Sequence, residues 1–125
     1  MNFLLLILLL FQTNVKNVDE VAFFSKLTSG CHAIILDVQT EKEYQESHLQ
    51  SAINLPNKHA LNAVCDTLKK ESMLFVYCKY GERSKTVCYL LQKKGFQNIY
   101  QLENGIESAI KNPSFLSYFE QFISK

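Results

Sequence analysis

The spacing of apolar residues along the chain switches repeatedly between a strand-like and a helix-like period. Met73-Leu74-Phe75-Val76-Tyr77 is the most strand-like run. It is continuous rather than alternating, the form taken by a strand covered on both faces of a parallel sheet. Ala33-Ile34-Ile35-Leu36-Asp37-Val38 has the same form. Ala52-Ile53-Asn54-Leu55 is a shorter version closed by Pro56, and Asn98 to Leu102 predicts one more strand.

Between these runs the period becomes helical. Val18, Val21, Ala22, Phe24 and Leu27 predict an opening amphipathic helix that stops at Gly30. Thr40 is placed to cap a helix over Glu41 to Ser47, with Glu43 at the third position completing a capping box. Asn57 caps a helix whose inward face is Leu61, Val64, Cys65 and Leu68. Val87, Cys88, Leu90 and Leu91 give another before Gly95, and Ile106 to Ile110 one more. Phe115, Tyr118, Phe119 and Phe122 have the spacing of a core-facing terminal helix over Phe115 to Ile123, with Pro113 at its start. Strands alternating with helices predict an α/β domain with a mostly parallel central sheet flanked by helices.

A chain of 125 residues, 47% of them hydrophobic, has room for one such core and no second domain. The domain is expected over residues 18–125, after an apolar segment at 1–17. Within that segment Phe3 to Leu10 is unbroken apolar sequence. At about 1.5 Å per residue it is too short for a hydrocarbon layer of about 30 Å, so no stable membrane span is expected. Its length fits the central region of a secretory signal peptide, although the basic part is reduced to the chain's own amine and no small-x-small cleavage site follows. On that reading the protein is exported, periplasmic or secreted. A buried strand or helix, or a start placed too far upstream, would leave it cytoplasmic.

Thirteen basic and twelve acidic residues give a net charge of +1. No global field exists to draw in nucleic acid, and an anion site has to be local. Cys31, Cys65, Cys78 and Cys88 form no CxxC pair and no cysteine–histidine cluster at zinc spacing, so no metal is expected, and a reaction carried by a cysteine needs no organic cofactor.

The informative segment is Cys78-Lys79-Tyr80-Gly81-Glu82-Arg83-Ser84, between a buried strand and a helix. Ligands of open α/β sheets bind at that edge. A loop entering a helix there turns backbone N–H groups toward one point, and the helix N-terminus adds partial positive charge. Gly81 lets the loop bend. A cysteine in such a cradle, near Lys79 and Arg83, is favoured as thiolate and becomes a nucleophile. Arg83 presents a planar fork suited to an oxyanion, while Lys79 is a mobile charge that steers. The alternative is an inert cysteine that ends a strand.

Two motifs in order resemble the rhodanese family, namely its single-domain members. The first runs through Ile35-Leu36-Asp37-Val38-Gln39-Thr40, Glu43-Tyr44 and His48-Leu49-Gln50-Ser51-Ala52-Ile53-Asn54-Leu55-Pro56; the second is Tyr77-Cys78 through Arg83-Ser84. The resemblance implies a five-stranded, mostly parallel sheet and a sulfurtransferase. In that reaction Cys78 takes the outer sulfur of thiosulfate or a persulfide donor, holds it as a persulfide, and yields it to cyanide or a thiol. It further implies Arg83 and the loop residues Lys79, Tyr80, Gly81, Glu82 and Ser84 as the substrate-binding set. The expected partners are a small-molecule sulfur donor and a thiol acceptor, with room for a protein acceptor. Gln39 stands where the family usually has arginine, Ser47 and Ser51 replace glycines around His48, Leu102-Glu103-Asn104-Gly105 keeps one of two glycines, and the tryptophan that often follows is absent.

Other readings of the same fold are a non-catalytic carrier or interaction module fed by a protein partner, and a phosphatase-like enzyme. Related phosphatases use a loop one residue longer, and the four residues between Cys78 and Arg83 favour sulfur. His48 is expected to be structural, His32 and His59 solvated, Asp37 part of the scaffold, and Cys88 a core residue rather than a resolving thiol.

Overall fold

The computed structural model describes residues 2–5, 14–30, 32–115 and 123–124. Five strands form one sheet: β1 (Val15–Val18), β2 (Ala33–Asp37), β4 (Ile53–Asn54), β5 (Met73–Tyr77) and β6 (Asn98–Leu102). Their order is β1-β6-β5-β2-β4, and every neighbouring pair is parallel. Helices α1 (Glu20–Leu27), α2 (Glu41–Glu46), α3 (Lys58–Cys65), α4 (Glu82–Lys93) and α5 (Gly105–Lys111) lie between strands, while β3 (His48–Leu49) pairs antiparallel with β7 (Ile123–Ser124).

The continuous apolar run of β5 is explained by the two cores it joins. Leu74 and Val76 pack with Leu61 and Cys65 of α3 and with Cys88 and Leu91 of α4. Phe75 and Tyr77 point the other way, toward Phe23 and Phe24 of α1 and Ile106 and Ala109 of α5. With both faces covered, a polar residue on this strand would be buried on either side.

Helix caps follow the sequence closely. Thr40 Oγ1 accepts from Glu43 N at 3.1 Å and Glu43 Oε1 accepts from Thr40 N at 3.0 Å, a complete capping box. Asn57 Oδ1 accepts from Ala60 N at 2.9 Å and starts α3.

Two elements differ from expectation. The opening helix begins at Glu20, capped by Asp19, and Val18 ends an edge strand that pairs with β6. Val15, Lys16 and Asn17 therefore belong to the sheet. Valines stand only at the ends of β1, so it carries no strand signal; partner backbone supplies it. The inward face of α1 is Phe23 and Phe24, whereas Val21 is 60% exposed. At the C-terminus, Pro113–Phe115 is a single 3₁₀ turn and Ile123 lies in β7, not in a helix. Its partner there is Leu49, a residue far away in sequence. Residues 116–122, which hold Tyr118, Phe119 and Phe122, fall outside the described residues, as does Cys31.

Candidate active site

Strand β5 delivers Cys78 to the carboxyl edge of the sheet, and the chain turns at once into α4. Gly81 is the N-cap, at φ 94°. This is left-handed backbone, which glycine adopts at no steric cost. The turn aims two amides at the sulfur: Gly81 N–H donates to Cys78 Sγ at 3.1 Å and Ser84 N–H at 3.3 Å. Cys78 and Ser84 Oγ lie 3.4 Å apart, and that hydroxyl donates to the Gly81 carbonyl at 3.1 Å. Two N–H groups and the first turn of a twelve-residue helix all suit negative charge on this sulfur.

The loop is clamped from behind by the β6–α5 junction. Ile106 N–H donates to the Cys78 carbonyl at 3.0 Å and Glu107 N–H to that of Lys79 at 3.1 Å. Two glycines make this approach possible. A Cβ on Gly105 would fall 2.2 Å from the Lys79 carbonyl oxygen, and one on Gly81 2.0 Å from that of Glu103. Asn104, in place of the other expected glycine, has φ −100° and needs no special residue.

The expected substrate-binding residues separate into two groups. Gly81 and Ser84 contact the sulfur directly and are buried. Arg83 instead directs its fork at α2: Nη1 meets Glu43 Oε1 at 2.7 Å and Nη2 meets Oε2 at 3.1 Å. The Arg83 hydrogen bond, foremost, draws the Glu43 carboxyl down to about 2, and the same bond raises Arg83. Lys79 lies with Nζ 5.6 Å from the ring centre of Tyr80, and Tyr80 is 63% exposed at the loop tip. Glu82 is exposed in the first turn of α4, where an acid suits the helix dipole. Beside Arg83 a cavity of about 370 Å³ opens between α3 and α4, walled by Leu55, Leu61, Val87 and Leu90 with Lys58 alongside.

Below the loop a buried polar network fixes the ends of β2 and β5. Asp37 accepts from Gln39 N–H at 2.8 Å, Gln39 Nε2 at 3.0 Å and the Tyr77 hydroxyl at 2.5 Å. Burial pushes the Asp37 carboxyl up, opposed by these bonds. The Tyr77 oxygen accepts from Leu49 N–H at 2.9 Å, and burial pushes that phenol up strongly. Gln39 thus serves Asp37 as a neutral donor. His48 accepts a structural position, its Nδ1 2.7 Å from the Tyr44 carbonyl and its ring stacked on Tyr44. Cys88 is buried in the core, its thiol pushed up to about 12 by burial.

Nothing local in the sequence signals the Glu43–Arg83 pair, whose members stand forty residues apart. The same holds for Gln101 of β6, whose Nε2 reaches the Gly81 carbonyl at 3.3 Å.

The family described as the rhodanese-like domain matches residues 21–112. A tRNA uridine(34) hydroxylase of Onion yellows phytoplasma (strain OY-M) is 35% identical over 88 residues, covering 64% of this chain and 28% of the relative. The thiosulfate sulfurtransferase GlpE of Coxiella burnetii (strain RSA 493 / Nine Mile phase I) is 32% identical over 75 residues, 60% of this chain and 69% of the relative. The chain spans 25 to 30% of the length of several longer relatives. Among solved structures, the rhodanese-like domain of the Alr3790 protein from Anabaena sp. is 26% identical, with a TM-score of 0.59 over 77% of this chain and 93% of that one.

Proposed function

Because the chain belongs to the rhodanese-like domain family, we propose that it is a sulfurtransferase in which Cys78 carries sulfane sulfur from thiosulfate or a persulfide donor to a thiol or cyanide. The observation that carries this reading is the convergence of the Gly81 and Ser84 amides on Cys78 Sγ at the start of α4. The Cys78 thiolate attacks the outer sulfur of thiosulfate. The donor's S–S bond breaks, and sulfite leaves with the electron pair. Gly81 and Ser84 N–H stabilise the sulfur anion before attack and again when the persulfide is discharged. The acceptor then attacks the outer sulfur of the persulfide, and the thiolate returns as leaving group. Arg83 binds the incoming oxyanion by exchanging Glu43 for it, with Lys79 steering.

A second reading, a carrier module loaded by a protein partner, draws support from three facts. Cys78 is 1% exposed, and the Arg83 fork is already occupied by Glu43. The domain also aligns with only 28% of the hydroxylase.

Intact mass before and after thiosulfate, and again after cyanide, separates them. Gain of one sulfur that cyanide removes, seen in wild type and absent in Cys78→Ser, supports the enzyme. Poor turnover of thiosulfate with a persulfide still formed on Cys78 supports the carrier, and no adduct on wild type sinks the thiosulfate reading and favours the partner-fed module. The same spectrum tests the proposal that Phe3 to Leu10 is an export signal: secreted or periplasmic protein whose mass begins before Val15 but lacks that run supports it, and an intact Met1 opposes it.

A further inference from the structure

Gln101 is fully buried, yet its side chain is only half satisfied. Nε2 donates to the Gly81 carbonyl at 3.3 Å, while Oε1 has no hydrogen-bond partner. Turning the amide over would set its oxygen against the Gly81 oxygen, two acceptors face to face, so the orientation is forced. A buried carbonyl without a donor is costly. Gln101 pairs with Val76 in register and lies two residues along β6 from Ile99, both members of the apolar core under α4. An apolar side chain would fit that face without leaving an acceptor unpaired.

What the amide holds is the hinge of the cradle. The Gly81 carbonyl also accepts from Ser84 Oγ at 3.1 Å and Lys85 N at 3.3 Å, and the Gly81 N–H is the donor at 3.1 Å from the sulfur. Glycine has no side chain to fix its own backbone, so the contacts of its peptide groups set its conformation.

We propose that Gln101 is a positioning residue for Cys78: by fixing the Gly81 carbonyl toward the sheet it keeps the Gly81 N–H aimed at Sγ. This rests on Cys78 working as a thiolate, but not on which donor supplies the sulfur. The test is the pH profile of iodoacetamide alkylation at Cys78, read by peptide mass, in Gln101→Met and Gln101→Asn. Methionine removes the donor and the orphaned oxygen together; asparagine keeps the amide but is one methylene too short. The alkylation midpoint is expected to rise by about one pH unit, so that the rate below the midpoint falls roughly tenfold, in a variant whose Tm stays within a few degrees of wild type. An unchanged midpoint overturns the proposal, as does a rise confined to variants that have lost several degrees of Tm. If Gln101→Met fails to fold, Gln101→Asn decides by the same criterion. Alkylation needs no sulfur donor, so failure of thiosulfate transfer leaves this result readable.

Discussion

Ser51 holds a φ of 65°, the one described non-glycine residue with left-handed backbone. Ser47 on the other side of His48 has φ −165°, extended backbone open to any residue. Both occupy positions where the resembling motif has glycine, but only Ser51 is strained. Left-handed backbone costs a non-glycine residue about 1–2 kcal/mol, partly offset by the greater unfolded-state freedom of glycine. Ser51→Gly is therefore expected to stabilise the fold by about 0.5–1 kcal/mol, and Ser47→Gly to bring no gain. Denaturant midpoints of the two variants check this; a loss of stability on Ser51→Gly would contradict it. Gln39 gives a parallel lesson. Its amide supplies Asp37 with a donor, so the buried acid is satisfied by hydrogen bonds without a cation.

The Cys78 loop depends on the β6–α5 junction as much as on its own residues. Gly105 stands where the Lys79 carbonyl passes, at φ 76°. Gly105→Ala has to break both the close approach and the backbone preference. It is expected to cost at least about 2 kcal/mol and to release the bonds from Ile106 and Glu107 to the loop. Tm should fall, and the sulfur-loading rate of Cys78 should fall further than the lost stability explains. Unchanged loading in a folded Gly105→Ala protein would show that the clamp is not needed for chemistry. Asn104→Gly, by contrast, changes a residue with ordinary φ. The edge strand β1 has similar dependence on a partner: its four residues hold their place through β6.

Across the molecule, Glu43 and Arg83 tie α2 to α4. A carboxyl drawn from 4.5 down to about 2 in the folded protein contributes stability that is present above its ordinary value and fades as pH falls through that window. Asp37, raised mainly by burial, works the other way: its contribution is largest at low pH and fades as pH rises through its folded value. Glu43→Gln keeps a residue competent for the capping box and removes the charge. Its Tm deficit relative to wild type is expected to be largest near neutrality and to shrink between pH 4.5 and about 2, with added salt reducing it as for any partly exposed pair. A deficit independent of pH would place the loss in packing instead. The same variant frees the Arg83 fork, so thiosulfate should load at lower concentration if Glu43 competes with the anion.

The periods of the chain were enough to read β2, β5, β6, the caps of α2 and α3, the parallel α/β class and the position of Cys78 at the end of a strand. Each is set by local geometry: burial on both faces makes a run continuous, and a cap needs only a side chain three residues from its amide. The strand character of Val15–Val18, the pairing of Ile123 with Leu49, the Glu43–Arg83 fork and Gln101 beneath Gly81 were not legible. All four are made by partners distant in sequence, and their energy exists only once the sheet has brought those partners within hydrogen-bonding distance. The sequence could place Cys78 in its loop, because strand, turn and helix are consecutive. Which groups aim the amides at its sulfur, and where the arginine fork is spent, depended on the packing of β6, α2 and α5 around that loop.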